Sequence, residues 1–207
     1  MRRLGKRIIA GIAACCMVCA TMPEIPVKAD TEGTTYYVDQ DGGNDNASGT
    51  SRSEAWSSLE KINSVTFRPG DQILFQKGDV WTGQLSPKGS GEEGNPIVIG
   101  AYGEGDERPR IDGNNWCGED GDDLENRIFN AAVYFYNQQY WEITSLEVTN
   151  RIPGDNPDDH IKKYGILIMG EDAGTLRHMY CQNLYVHDVV SHPIGQQAGI
   201  GRGGIIY

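Results

Sequence analysis

Tyr140-Trp141-Glu142-Ile143-Thr144-Ser145-Leu146-Glu147-Val148-Thr149-Asn150 is answered 38 residues later by His178-Met179-Tyr180-Cys181-Gln182-Asn183-Leu184-Tyr185-Val186-His187-Asp188, with no gap between the copies. Ile143, Leu146 and Val148 coincide with Cys181, Leu184 and Val186. Apolar residues two apart lie on one face of a strand. The phase slips at Ser145-Leu146 and Asn183-Leu184, so a bend between two sheets is expected there. If Ile143 faces inward, strict alternation turns Trp141 inward as well, and Trp141 is read as core.

The repeat extends outward from this pair. Ala132-Val133-Tyr134-Phe135 aligns with Gly165-Ile166-Leu167-Ile168 at an offset of 33, and Gly204-Ile205-Ile206 begins a third copy 39 residues after Gly165. Strand, loop, strand, bend, strand at a fixed period is the pattern of a solenoid, in which no single coil buries its own apolar row. Strands stacked about 4.8 Å apart then pair above and below. The unequal offsets place loops of unequal length at one or two corners, Arg151–Lys163 being the longest of them in the repeats. Further strands are expected at 35–39, 72–75, 97–102 and 109–113.

Ahead of the repeats, Gln40–Arg52 consists of turn formers, and SEAWSSLEKIN (53–63) spaces Trp56, Leu59 and Ile62 for one helical face. Ser53 is its expected N-cap. The fold class expected is all-β: a right-handed parallel β-helix with a short N-terminal capping helix, truncated at its C-terminal end. Residues 1–29 are assigned to a signal peptide, 30–95 to the N-terminal strand, cap helix and first coil, and 96–207 to incomplete β-helix coils.

Composition narrows the function. Of 207 residues 27 are Gly, which suits frequent turns, and the net charge is −11. Arg2, Arg3, Lys6 and Arg7 precede an apolar run from Ile8 to Met22 that is short for a membrane span. With Val27-Lys28-Ala29 this reads as an export signal cut between Ala29 and Asp30. Ile12-Ala13-Ala14-Cys15 offers a rival lipoprotein box with lipid on Cys15. Export leaves 13 basic against 28 acidic side chains. That balance disfavours nucleic acid and anionic membranes. Of the five cysteines only Cys117 and Cys181 would remain. Cys181, in a strand pattern, is read as a buried thiol in preference to a bridge with Cys117.

The run from Tyr36 to Gly113 (YYVDQDGGNDNASGTS, AWSSLEKIN, FRPGDQILFQKGDVWTGQL, GSGEEGNPIVIGAYGEG, PRIDG) resembles the N-terminal part of carbohydrate-active parallel β-helix proteins of the pectate-lyase-like superfamily. YNQQYWEITSLEVTN, NLYVHDV and GRGGI resemble glycoside hydrolase family 141 most. The resemblance covers about residues 35–207 and implies a secreted protein acting on plant cell-wall polysaccharide such as xylan or pectin side chains. It also implies a longer domain, so the catalytic coils are expected beyond Tyr207 and the chain itself is expected to be inactive.

Hydrolysis of a glycoside needs two carboxylates. His187 and Asp188, at a strand end, are the catalytic candidates: an Asp for proton transfer and a His to orient a sugar hydroxyl. Their structural alternative is a turn pair with Asp188 stacked on Asn150. Trp116, in a polar loop, is the candidate sugar platform, and Arg202 the candidate contact for a uronate. Asp155, Asp158, Asp159 and His160 gather in one loop, and Asp39, Asp41 and Asp45 faintly resemble a calcium loop. The reading preferred for the first group is a solvated acidic loop, and for the second, which lacks the distal Glu of a calcium loop, a Gly-rich turn before the cap helix. No cofactor or metal is expected, except Ca²⁺ if the protein is a polysaccharide lyase. A lyase and a non-catalytic glycan-binding or adhesin β-helix are the alternative readings.

Overall fold

The computed structural model describes residues 33–114, 126, 129–151, 162–189 and 203–206. The signal segment with Cys15, Ala29 and Asp30 lies outside them, as do Trp116, Cys117, the Asp155–His160 loop and Arg202. No helix among the described residues is long and apolar enough to cross a membrane.

Strands dominate. In chain order they are β1 (Thr35–Val38), β2 (Thr66–Phe67), β3 (Gln72–Gln76), β4 (Val80–Thr82), β5 (Lys88–Gly89), β6 (Ile97–Tyr102), β7 (Arg110–Asp112), β8 (Ala131–Tyr136), β9 (Trp141–Thr144), β10 (Glu147–Asn150), β11 (Tyr164–Met169), β12 (Met179–Gln182), β13 (Tyr185–Val189) and β14 (Gly203–Ile206). They pair in parallel. One sheet runs β1-β3-β6-β9-β12, a second β4-β7-β10-β13, a third β8-β11-β14, and β2 pairs with β5. From β6 onward successive strands visit the three large sheets in rotation, so each of these turns lays one strand on each.

The register follows the sequence repeat. Trp141 pairs with Met179 and Ile143 with Cys181; Val148 pairs with Val186. The offset of 33 holds from Val133 to Ile166, and that of 39 from Ile166 to Ile205. The bends sit at Ser145 and Asn183, with φ of 62° and 50°. That left-handed conformation is costly for most side chains and lets one residue turn the strand sharply. The inward faces of the three sheets meet in one core. Ile73, Phe75, Ile99, Ile111, Val133, Phe135, Trp141, Ile143, Leu146 and Val148 are all fully buried in it. Trp141 is therefore core, as alternation requires. Cys181, Leu184 and Val186 pack against the same cluster but are only partly buried, because β12 and β13 are the outermost strands of their sheets.

The helix differs from expectation. Residues 52–54 form a 3₁₀ turn, and α1 spans Leu59–Ser64 with Ser58, not Ser53, as N-cap; the Ser58 hydroxyl accepts from the Lys61 N–H at 3.0 Å. The segment between them is extended because it is paired. Trp56 bridges Val38 in parallel, donates its N–H to the Tyr37 carbonyl at 2.9 Å, and accepts from Asp39 at 2.8 Å. Asp45 holds the next two residues: its carboxylate accepts from the N–H groups and hydroxyls of Ser57 and Ser58 at 2.6–3.1 Å. Trp56, Leu59 and Ile62 are all buried, though only the last two belong to the helix.

Candidate functional site

Short bends join the first sheet to the second: β9 ends at Thr144 and β10 starts at Glu147. The long connections run from the second sheet to the third, 112 to 131, 150 to 164 and 189 to 203. Trp116, the Asp155–His160 group and Arg202 all fall in those connections by sequence position.

The second sheet places the candidate pair of His187 and Asp188. Alternation alone would send adjacent side chains to opposite faces. A β-bulge prevents it. Val148 pairs with Val186, but Asn150 pairs with Val189, so β13 carries one extra residue. Asp188 takes it up with φ of 49°. Bulges re-aim side chains in this way, and the Asp188 carboxylate lies 3.1 Å from His187 Nδ1. The expected stacking of Asp188 on Asn150 does not occur. Asn150 is fully buried and donates to the carbonyls of Asn130 and Tyr164 at 2.9 and 3.0 Å.

Sequence reading missed the partners of this pair. Glu147, one turn earlier on β10, lies 3.1 Å from His187 Nε2. Arg110 on β7 reaches the same carboxylate oxygen at 3.4 Å, and Arg151 approaches Asp188 at 3.7 Å. Tyr185 stacks on His187 with centroids 4.1 Å apart. Arg110, Glu147 and Tyr185 share one cross-strand row, a relation visible once the register is known. The result is a polar strip of alternating charge across three strands. Glu147 also borders a cavity of about 420 Å³ lined by Gly78, Val80, Asp106, Glu107, Arg108 and Arg110.

The imidazole of His187 occupies the space between the Glu147 and Asp188 carboxylates. A catalytic carboxyl pair must flank the scissile bond and leave room for it. The strip therefore suits hydrogen bonding to hydroxyl groups better than bond cleavage. Of the other acidic candidates, Asp45 accepts from Ser57 and Ser58 just ahead of α1, and Asp39 accepts from the Gly42 N–H at 2.6 Å. Among the described residues no group of three or more His, Cys, Asp or Glu side chains is placed to hold a metal ion. Cys181 is a free thiol, and burial pushes its pKa up.

No protein-family model matches the chain. A curated relative, a lacto-N-biosidase of Bifidobacterium longum subsp. longum, is 27% identical over 223 aligned positions that cover 91% of this chain and 14% of the relative. The crystal structure of a GH136 lacto-N-biosidase from Eubacterium ramulus superposes with a TM-score of 0.69 at 27% identity, covering 83% of this chain and 29% of that one. Its native form gives 0.66 at 26% identity. This chain is thus similar, in sequence and in fold, to part of a glycoside hydrolase, and spans under a third of either relative. The glycoside hydrolase expectation gains support; family 141 and a plant substrate gain none from these matches.

Proposed function

We propose that this sequence belongs to an exported glycoside hydrolase built on a right-handed parallel β-helix. The observation that carries the reading is agreement of sequence and fold with lacto-N-biosidases across most of the chain. Right-handed crossovers are the rule for parallel strands, and three parallel sheets visited in rotation make a closed coil the natural arrangement. Trp56 and α1 cover the N-terminal end of the stack in this reading. Residues 1–29 direct export.

The substrate proposed first is a glycan ending in lacto-N-biose, the unit for which the relatives are named. Xylan and pectin side chains are the comparison substrates. In the strip, Glu147, His187 and Asp188 contact sugar hydroxyls, while the carboxyl pair that cleaves the bond is supplied from elsewhere in the polypeptide. Hydrolysis by two carboxyl groups requires no cofactor.

The test expresses the polypeptide from its complete reading frame and offers it p-nitrophenyl lacto-N-bioside, arabinoxylan and polygalacturonate. Release of p-nitrophenol alone is the expected result, with none from residues 30–207 by themselves. Unsaturated uronate from polygalacturonate would replace hydrolysis by elimination. Binding without any product would make the protein a glycan-binding solenoid.

A further inference from the structure

We infer a second carbohydrate-binding site, for neutral pyranosides, on the outward face of the first sheet, formed by Tyr140, Glu142, His178 and Tyr180. Tyr140 and His178 occupy equivalent places in consecutive turns, just ahead of β9 and β12. Both adopt left-handed φ, 57° and 54°. Bulky residues pay for that conformation with about 1–3 kcal/mol of strain each, and such strain gathers where a side chain must be aimed. Here it aims two rings. Tyr140 and His178 stack with centroids 5.7 Å apart, and His178 lies 4.5 Å from Tyr180 on its other side. Glu142 pairs with Tyr180 in register, and its Oε1 sits 2.7 Å from His178 Nε2.

The imidazole is held on both faces and at one edge, so the Tyr180 ring beside it is ordered before any ligand arrives. That ring is 57% exposed, the most exposed large hydrophobic residue described. An ordered amphipathic ring presented to water lowers the entropic cost of binding. Its open face matches the C–H face of a pyranose. Among the described residues, the second oxygen of Glu142 and the hydroxyls of Tyr140 and Tyr180 make no hydrogen bond and are available to sugar hydroxyls. Glu142 and the net charge of −11 oppose uronates and sulfated sugars. The second sheet repeats the device: Tyr185, 52% exposed, stacks on His187, which is bonded to a Glu of the previous turn.

The inference rests on the carbohydrate reading but not on catalysis, so the experiment reads binding alone. Calorimetric titration of the 207-residue protein uses lacto-N-tetraose, xylohexaose and hexagalacturonate as probes. At least one neutral probe is expected to bind, and hexagalacturonate more weakly. Tyr180→Ala should weaken the neutral probe about tenfold, the scale of one aromatic contact, and Tyr180→Phe less than threefold. Glu60→Ala, an exposed position on α1, should leave that affinity unchanged. Near-ultraviolet circular dichroism verifies that each variant is folded. Folded Tyr180→Ala binding like wild type, tighter binding of hexagalacturonate, or no neutral binding by wild type would each overturn the site. Failure of hydrolysis with binding intact would sink only the enzymatic reading.

Discussion

Replacing Trp141 separates a core residue from a sugar platform, the two roles open to a tryptophan in a glycan-binding solenoid. Trp141 is fully buried, with Phe135 at 5.1 Å and Phe67 at 6.3 Å between ring centroids. Its indole N–H donates to the Gly89 carbonyl at 3.0 Å, tying β9 to β5. Trp141→Ala removes a large aromatic from a packed core, at a cost of about 3–5 kcal/mol. The orphaned carbonyl adds about 1 kcal/mol or more. The sum, roughly 4–6 kcal/mol, is a large share of a stability of about 5–15 kcal/mol. At about 2–4 °C per kcal/mol for a chain of this size, Tm should fall by about 10–20 °C. Trp141→Phe keeps a ring and loses the donor, so about 1–3 kcal/mol is expected. Thermal unfolding by circular dichroism measures both, and calorimetry on Trp141→Phe measures glycan affinity. A Tm loss under about 3 °C for Trp141→Ala, or lost glycan binding in well-folded Trp141→Phe, would refute the core assignment.

Four further outcomes are expected. Burial raises the Asp45 carboxyl pKa, but hydrogen bonds from Ser58 and Ser57 outweigh it and hold the folded value below the usual carboxylate range. Its contribution is therefore complete above the unfolded carboxyl pKa and disappears as pH falls through the lower folded value. Asp45→Ala should cost about 1–2 kcal/mol at pH 7 and progressively less as the pH falls through the lowered folded value; a deficit that does not shrink in acid would contradict this. Tyr102 is buried with its hydroxyl unpartnered among the described residues, its pKa pushed up to about 12 by burial and by Asp39 and Asp79, so Tyr102→Phe should leave Tm unchanged or raise it. A Cβ on Gly165 would meet the Gly204 carbonyl oxygen at 2.5 Å and Val186 Cγ1 at 2.6 Å, so Gly165→Ala should cost about 1–3 kcal/mol in denaturant unfolding. Finally, among the described residues β12, β13 and β14 end their sheets, and a cavity of about 560 Å³ lined by Ile168, Leu176, Met179, Cys181 and Ile205 opens beside them. Unpaired edges template association, and charge repulsion is screened within about 8 Å at physiological salt. Light scattering should show residues 30–207 associating there; a monomer at all concentrations would overturn this.

The repeat was legible in the sequence because stacked coils force corresponding residues into the same environment. Offsets of 38, 33 and 39 residues became ladder registers, and period-two alternation was enough to send Ile143, Val148 and Trp141 inward. The helix was misread because periodicity at Trp56, Leu59 and Ile62 reports burial, not conformation. Only pairing with β1, through the Val38–Trp56 bridge, decided that Trp56 is extended. The site divided in the same way. His187 and Asp188 stood out by residue type, but a single inserted residue in β13 put both on one face. Their partners Glu147 and Arg110 lie 40 and 77 positions away in the chain, and Tyr140, Glu142, His178 and Tyr180 converge from two turns. Alternation along one strand is a local property and can be read from neighbours in sequence. Which side chains meet across strands depends on register, bulges and left-handed bends, and those are set only when the turns stack.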